Sequence, residues 1–164
     1  EKTVRNHISN VMQKLGVKGR AAAVIELLKF YKIPMEGKNV AIVNRSNIVG
    51  KPLATLFLQE NATPTVCHSR TTNMKKICKN ADIVVAAIGR AKFFDQSYFK
   101  KDAVIVDVGI NRGEDNKVCG DVDMNSLKNF DGAISPVPGG VGPMTVLMLI
   151  NNLVILTKKQ HGGK

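Results

Sequence analysis

The fold of this chain is indicated most clearly by residues 38–52, KNVAIVNRSNIVGKP. The first part, residues 39–43, is a short apolar run rich in β-branched side chains, which is typical of a buried strand in a parallel sheet. A polar loop with one glycine follows, and Pro52 then opens an amphipathic helix. Because a helix N-terminus offers amide donors and the positive end of the helix dipole, this order predicts a phosphate-binding turn. An ordinary βα turn without a ligand remains the alternative.

Two common phosphate-binding motifs do not fit this turn. The dinucleotide fingerprint G-x-G-x-x-G needs glycines early in the loop, where this chain has Asn44 and Ser46. The P-loop needs Ser or Thr after its lysine, and here Pro52 follows Lys51. The function of the turn therefore has to be inferred from the rest of the chain.

Composition narrows the class of protein. A chain of 164 residues suits one domain, with room for a small addition. The net charge is +11 and basic residues are concentrated near the N-terminus, which fits a solvated surface, a polyanionic ligand or nucleic acid. The three cysteines form no C-x-x-C pair, so we expect a reduced, cytoplasmic protein. The three histidines are far apart, and we expect no metal site.

The sequence shows no N-terminal signal sequence and no predicted membrane span. No apolar run reaches the roughly 18 residues that a membrane span requires, so we expect no membrane association. The sequence begins at Glu1 without an initiator methionine, which suggests a fragment or a trimmed chain.

Strand and helix patterns alternate after residue 38. Strands are predicted at 39–43, 63–67, 83–87, 103–108 and 132–135, and helices at 53–59, 73–79, 96–99, 124–130 and 143–156. Residues 109–120 read as a loop or a hairpin. Two further helices, at 1–16 and 18–31, precede the first strand. The pattern predicts an α/β fold with a doubly wound, mostly parallel, Rossmann-like sheet and an added N-terminal helical hairpin.

The loop after the second predicted strand bears on the choice of cofactor. NAD-binding folds usually place Asp or Glu there for the ribose 2′-hydroxyl, and a carboxylate would repel a 2′-phosphate. This chain has His68, Ser69 and Arg70 instead. Together with Arg45 they form a cationic, hydrogen-bonding cradle, so we predict NADP rather than NAD. A polar turn with a surface arginine is the alternative.

Asp107 lies near the end of the predicted strand 103–108, and Asp121 directly follows the predicted loop or hairpin 109–120. Such residues more often hold loops in place than act as an acid and a base. We therefore assign no catalytic residue to them.

Several motifs in order resemble the cofactor-binding domain of the bifunctional methylenetetrahydrofolate dehydrogenase/cyclohydrolase family, over about residues 23–158. They are VNRSNIVGKP at 43–52, CHSRT at 67–71, ADIV at 81–84, DVGIN at 107–111, GDVD at 120–123 and PVPGGVGPMT at 136–145. The family usually has glycine where this chain has Asn44. The resemblance implies an oxidoreductase that passes a hydride from methylenetetrahydrofolate to NADP and then hydrolyses the methenyl product.

The resemblance also implies roles for single residues. Arg45 and Ser69 would contact the 2′-phosphate of NADP. The phosphate loop would include Ser46 and Gly50, and the nicotinamide side would include Gly89, Ile110 and Thr145. The family's catalytic Y-x-x-x-K motif is missing, because Met35 follows Tyr31 at that spacing and Asp102 follows Tyr98. Since the reaction needs a lysine within reach of the reacting carbon, we predict cofactor binding without efficient turnover.

Residues 1–24 resemble the end of a LuxR-type helix-turn-helix domain. The matching positions include Thr3-Val4-Arg5, His7, Asn10, Lys14-Leu15, Val17, Arg20 and Ala23-Val24. This resemblance implies that Lys2, Thr3, Arg5 and His7 face DNA and that the following helix takes part in a homodimer. We accordingly divide the chain into residues 1–24 and 25–164 and interpret it as a chimera. The alternative is that any basic amphipathic helix would give this resemblance. In the chimera, we expect residues 1–16 to pack their apolar stripe on the Rossmann body or on a partner chain, through Val4, Ile8, Met12 and Leu15.

Overall fold

The computed structural model describes residues 19–113, 116–128 and 130–162, without the side chain of Lys159. The predicted first helix and the DNA-facing residues Lys2, Thr3, Arg5 and His7 lie outside the described residues. Helices are α1 Arg20–Phe30, α2 Gly50–Gln59, α3 Met74–Asn80 and α4 Val141–Gln160. Strands are β1 Asn39–Val43, β2 Thr63–Cys67, β3 Ile83–Ala86, β4 Val104–Asp107, β5 Asn111–Arg112, β6 Val118–Cys119 and β7 Ala133–Ile134.

Five of these strands form one parallel sheet in the order β2-β1-β3-β4-β7. The remaining two, β5 and β6, pair as an antiparallel hairpin, which settles the choice left open for residues 109–120. Helices α2 and α3 connect β1 to β2 and β2 to β3, and helices pack on both faces of the sheet, so the predicted doubly wound, Rossmann-like α/β sheet is confirmed.

Alternate side chains of each strand enter two separate cores. Val40 and Ile42 of β1 pack on one face against α1, α2 and α4. Ala41 and Val43 pack on the other face with Cys78 of α3. Because both faces of the central strands are covered, these strands are continuous apolar runs in the sequence.

Several predicted boundaries shift for local reasons. Helix α2 begins at Gly50, so Pro52 is its third residue, still within the first turn where a missing N–H costs no intrahelical bond. The helices predicted at 96–99 and 124–130 are single 3₁₀ turns, Gln96–Tyr98 and Met124–Ser126. Such short segments lack the hydrogen bonds needed to sustain an α-helix.

Helix α1 crosses the predicted domain boundary without interruption. Val24 and Ile25, on either side of that boundary, are both buried in the first core. The division into residues 1–24 and 25–164 stays a prediction.

Helix α4 presents an apolar face that the described residues leave exposed. The exposed members are Val146, Leu147, Leu149, Ile150, Leu153, Val154 and Ile155. The segment Val141–Lys158 is long and apolar enough, by length and composition, to cross a membrane. The expectation that no segment reaches this threshold is therefore wrong, because uncharged polar residues interrupt the apolar run without ending it. One such helix is weak support for a membrane span, since soluble proteins contain similar ones.

All three cysteines lie in the described residues and none forms a disulfide. Burial raises the pKa of Cys78 to about 12, so this thiol stays protonated at neutral pH. Within the described residues, no three His, Cys, Asp or Glu side chains are grouped so as to hold a metal ion.

Candidate functional site

The carboxyl ends of the central strands form one edge of the sheet, and open α/β sheets have a ligand-binding crevice where the strand connections diverge, which here is between β1 and β3. Val43 at the end of β1 is in register with Cys67 of β2 on one side and Ala86 of β3 on the other. The connection from β1 leads to β2, whereas the connection from β3 leads away to β4. Ligands of open α/β sheets bind where connections diverge in this way.

The turn between β1 and α2 is held together by the side chain of Asn44. Its Oδ1 atom accepts hydrogen bonds from the backbone N–H of Ser46 at 2.7 Å and of Gly50 at 3.0 Å. Its Nδ2 atom donates to the carbonyl oxygen of Ala87, just beyond β3. Gly50 is also sterically required, because a Cβ atom there would lie 2.0 Å from the Asn44 carbonyl oxygen.

The other amides at the start of α2 also have partners within the turn. The N–H of Val49 donates to Ser46 Oγ at 3.1 Å, and the N–H of Lys51 donates to the Ser46 carbonyl at 3.1 Å. The prediction that this turn has free amides is therefore wrong for residues 46, 49, 50 and 51, whereas contact between the turn and a phosphate stays a prediction. Side-chain and backbone oxygens of Asn44 and Ser46 already accept hydrogen bonds from these amides.

The loop after β2 lies beside this turn on the same edge. Val43 and Cys67, the last residues of β1 and β2, are paired in register. Arg45 and Ser69 each lie two residues beyond these strand ends. Arg45, Ser69 and Arg70 are all exposed to solvent. The loop is braced internally, since His68 Nδ1 accepts from the Arg70 N–H at 3.1 Å. These positions leave three polar or cationic side chains available to a ligand at this edge.

Asp121 fixes the loop that follows β3. Its carboxylate is fully buried and accepts the backbone N–H groups of Ile88, Gly89 and Arg90 at 2.6, 3.0 and 2.8 Å. It also accepts from Asn111 Nδ2 at 2.9 Å, next to Ile110. One carboxylate thus sets the loops that contain two of the predicted nicotinamide-side residues.

Asp107, at the end of β4, has a similar role at the neighbouring strand. Its carboxylate accepts from the backbone N–H groups of Gly109, Asp121 and Val122 at 2.9, 3.0 and 2.9 Å. Burial raises the pKa of Asp107, while the three amide donors favour its charged form. Both carboxylates hold loops at strand ends, as the sequence predicted.

Ile110 and Thr145 come together in one cleft. This cavity of about 350 Å³ lies between the loop after β4 and the start of α4, and Arg20 of α1 also lines it. Thr145 Oγ1 donates to the Val141 carbonyl at 2.9 Å, and Ile110 is exposed. The cleft contains neither Arg45 nor Ser69, so the predicted site residues occupy two regions of the same edge.

Sequence reasoning missed the role of Asn44, although the signal was present, because Asn at a turn often accepts nearby amides. For Asp121 the sequence indicated a loop-holding residue but not which loop it holds. Its amide partners at residues 88 and 90 lie more than 30 positions away in the sequence.

Comparison with known proteins relates this chain to a family of nucleotide-binding domains. Residues 19–161 match the model of the tetrahydrofolate dehydrogenase/cyclohydrolase NAD(P)-binding domain, and residues 1–27 match that of the LuxR family of bacterial regulatory proteins. The chain is similar to the bifunctional protein FolD of Agathobacter rectalis, with 55% identity over 138 residues, 84% of this chain and 50% of that protein.

Solved structures extend the similarity to three dimensions. The bifunctional enzyme FolD from Campylobacter jejuni superposes with a TM-score of 0.84 and 41% identity, over 88% of this chain and 51% of that one. The methylenetetrahydrofolate dehydrogenase-cyclohydrolase of Trypanosoma brucei was solved with NADP and an inhibitor. It superposes with a TM-score of 0.79 and 37% identity, over 88% of this chain and 51% of that one. The chain therefore spans about half the length of the relatives it matches.

Proposed function

This chain belongs to the tetrahydrofolate dehydrogenase/cyclohydrolase family, of which it has the NAD(P)-binding domain, and from that premise we propose that its crevice binds NADP in preference to NAD. The observation that carries the proposal is the pairing of β1 and β2, which puts the loops of Arg45 and Ser69 side by side. Arg70 adds a second cation in the same loop.

The chemistry of these loops fits a phosphate better than a ribose hydroxyl. A 2′-phosphate carries negative charge and several acceptor oxygens, which guanidinium groups and a hydroxyl can contact together. The loop after β2, residues 68–73, contains no carboxylate that would repel it. The T. brucei relative, whose structure holds NADP, supports the same choice.

We assign the nicotinamide half of the cofactor to the loops after β3 and β4 and to the start of α4. Asp121 holds the loop of Gly89, and Ile110 and Thr145 line the adjacent cleft. When bound, the cofactor would supply hydride chemistry. The chain's own residues would bind it and orient it against a folate substrate.

We further propose that the chain alone does not turn over methylenetetrahydrofolate. The sequence lacks the Y-x-x-x-K motif, as Tyr31 and Tyr98 have no lysine four positions on. The dehydrogenase and cyclohydrolase activities would then require the tyrosine and lysine from another polypeptide segment. A cytoplasmic location agrees with three free cysteines and a nicotinamide cofactor.

Calorimetric titration of the chain with NADP and with NAD tests the cofactor assignment. We expect NADP to bind at least tenfold more tightly, because a charge-assisted contact contributes about 1.5–3 kcal/mol. In a thermal shift assay, NADP at 100 times its dissociation constant should add about 2.7 kcal/mol of stability. Equal affinity for the two cofactors would refute the assignment. Methylenetetrahydrofolate oxidation by the chain alone would refute the absence of turnover.

We propose DNA binding by the N-terminal segment as a second function, supported by the LuxR-family match over residues 1–27. Lys2, Thr3, Arg5 and His7 are the candidate contacts, and a homodimer would supply two copies of them. A mobility-shift assay at 50 and 200 mM salt tests this, because phosphate contacts weaken steeply as salt rises. A complex that is absent at 50 mM salt, or that does not weaken at 200 mM, would exclude it.

A further inference from the structure

The carboxamide of Asn44 is engaged at both ends. Oδ1 accepts two backbone amides, from Ser46 and Gly50, and an amide oxygen has two lone pairs for this purpose. Nδ2 donates to the carbonyl of Ala87, just beyond the end of the neighbouring strand β3. Asn44 therefore connects the turn after β1 to the end of β3, at the point where the strand connections diverge.

The two amides bound by Asn44 are those that converge at the start of α2. Gly50 is the first residue of that helix, and Ser46 belongs to the turn before it. Backbone amides that point at one oxygen in a strand–turn–helix connection are the arrangement that holds a phosphate oxygen. Here that oxygen is supplied by the chain itself.

We infer that Asn44 Oδ1 occupies the position of a phosphate oxygen in the β1–α2 turn, and that the crevice therefore binds phosphate through side chains rather than through these amides. The inference deepens the proposed function, because it concerns how the same site would recognise its dinucleotide. It makes Asn44 the residue that keeps the pyrophosphate of the cofactor from the amides of Ser46 and Gly50.

The remaining hydrogen bonds of the turn reinforce this arrangement. Val49 and Lys51 donate their amides to the hydroxyl and the carbonyl of Ser46. A pyrophosphate would have to displace an internal acceptor to reach any of these amides. The exposed side chains of Arg45, Ser69 and Arg70 need no such displacement. Affinity should therefore be concentrated at the 2′-phosphate.

Amide NMR spectra of the full chain with inorganic pyrophosphate test the inference without any nucleotide. In the wild-type protein, the Ser46 and Gly50 amide resonances should not move on addition of pyrophosphate. In Asn44→Ala or Asn44→Gly they should shift with saturation. Asn47→Ala, at an exposed position of the same turn, is the matched control and should behave as wild type. Saturable shifts of these two resonances in the wild-type protein would overturn the inference, even if neither Asn44 variant folds.

Affinity measurements give a second readout. Asn44→Ala should bind NADP about tenfold more tightly than wild type, because one charged acceptor regains two amide donors. Binding of adenosine 2′-monophosphate, which lacks the pyrophosphate, should be unchanged. Loss of NADP affinity in this folded variant would overturn the inference, because it would show that Asn44 supports the site rather than occupying the position of a phosphate oxygen. If NADP binds no form of the chain, the proposed function fails, while the pyrophosphate titration still decides the inference.

Discussion

The backbone N–H of Asp121 donates to Oδ1 of Asp107 at 3.0 Å, which joins two buried acidic residues at the carboxyl edge of the sheet. Two glycines make this contact possible. A Cβ atom on Gly109 would lie 2.4 Å from Asp121 Oδ1, and one on Gly120 would lie 2.0 Å from Asp107 Oδ2. The close approach lets one carboxylate accept amides from the segment that contains the other.

Gly120→Ala should destabilise the fold by about 3 kcal/mol, because the added methyl group overlaps a buried carboxylate that cannot move away from its three donors. Gly142→Ala is the matched control. Gly142 lies in the first turn of α4 with open space around it, so alanine should leave stability unchanged or raise it by up to about 1 kcal/mol. Urea unfolding monitored by circular dichroism measures both. Equal effects of the two substitutions would contradict the close packing at Gly120.

The sheet was predictable because its signals are local and repeated. Residues 39–43 and 63–67 have strand bounds identical to those predicted, since polar residues delimit each run. The last strand is shorter than predicted, because only Ala133 and Ile134 pair with β4. Parallel topology then dictates that loops after these strands share one edge, so the sequence could predict which residues gather there.

The hydrogen bonding of the site was less predictable than its location. The sequence indicated an amide-rich turn but not that Asn44 would accept the amide of Gly50. That contact depends on one side-chain rotamer and on the tight approach of the glycine. The role of Asp121 depends on amides of residues 88–90, which only the folded chain brings near. Contacts of this kind follow from tertiary structure and have no periodic signature.

Arg45→Gln should weaken NADP binding by about tenfold or more and leave NAD binding unchanged. The reason is that the substitution removes a charged donor for the 2′-phosphate, a group that NAD lacks. Arg112→Gln is the matched control, because Arg112 is exposed in the β5–β6 hairpin and donates to Asn116. Calorimetric titration of each variant with both cofactors gives the ratio of its NADP affinity to its NAD affinity. A parallel loss of NADP and NAD affinity in Arg45→Gln would contradict a specific role at the 2′-phosphate.

The ion pair between Lys100 and Asp82 should make stability depend on pH. Lys100 Nζ lies 2.6 Å from Asp82 Oδ1, and this hydrogen bond holds the pKa of Asp82 below its ordinary value. A lowered carboxyl pKa contributes stability above the unfolded-state value near 3.9, and the contribution is lost as pH falls through the folded-state pKa. The same bond raises the pKa of Lys100, so its contribution is lost as pH rises through the folded-state value of the lysine.

Lys100→Gln should therefore cost up to about 1 kcal/mol between about pH 4.5 and 10, and progressively less below about pH 4. Lys101→Gln is the control, because Lys101 and its partner Asp131 have side chains that are 73% and 65% exposed. Urea unfolding at pH 3, 5 and 7 measures the two differences. If the cost of Lys100→Gln grows as the pH falls, the expected direction of the pH dependence is wrong.

Truncation of two apolar residues of α4 should change the stability of the fold by very different amounts. Met148 is 5% exposed and packs in the core shared with α1, so Met148→Ala should cost about 2–5 kcal/mol. Leu153 is 65% exposed on the same helix, so Leu153→Ala should change stability by less than about 0.5 kcal/mol. Urea midpoints at an unchanged m-value give both numbers. A cost above about 1.5 kcal/mol for Leu153→Ala would mean that this face is covered in solution. This face could then be covered by a second copy of the chain or by residues 1–18 of the same chain. Repeating the measurement over a hundredfold range of protein concentration would distinguish the two, because only a second copy makes the cost of Leu153→Ala depend on concentration.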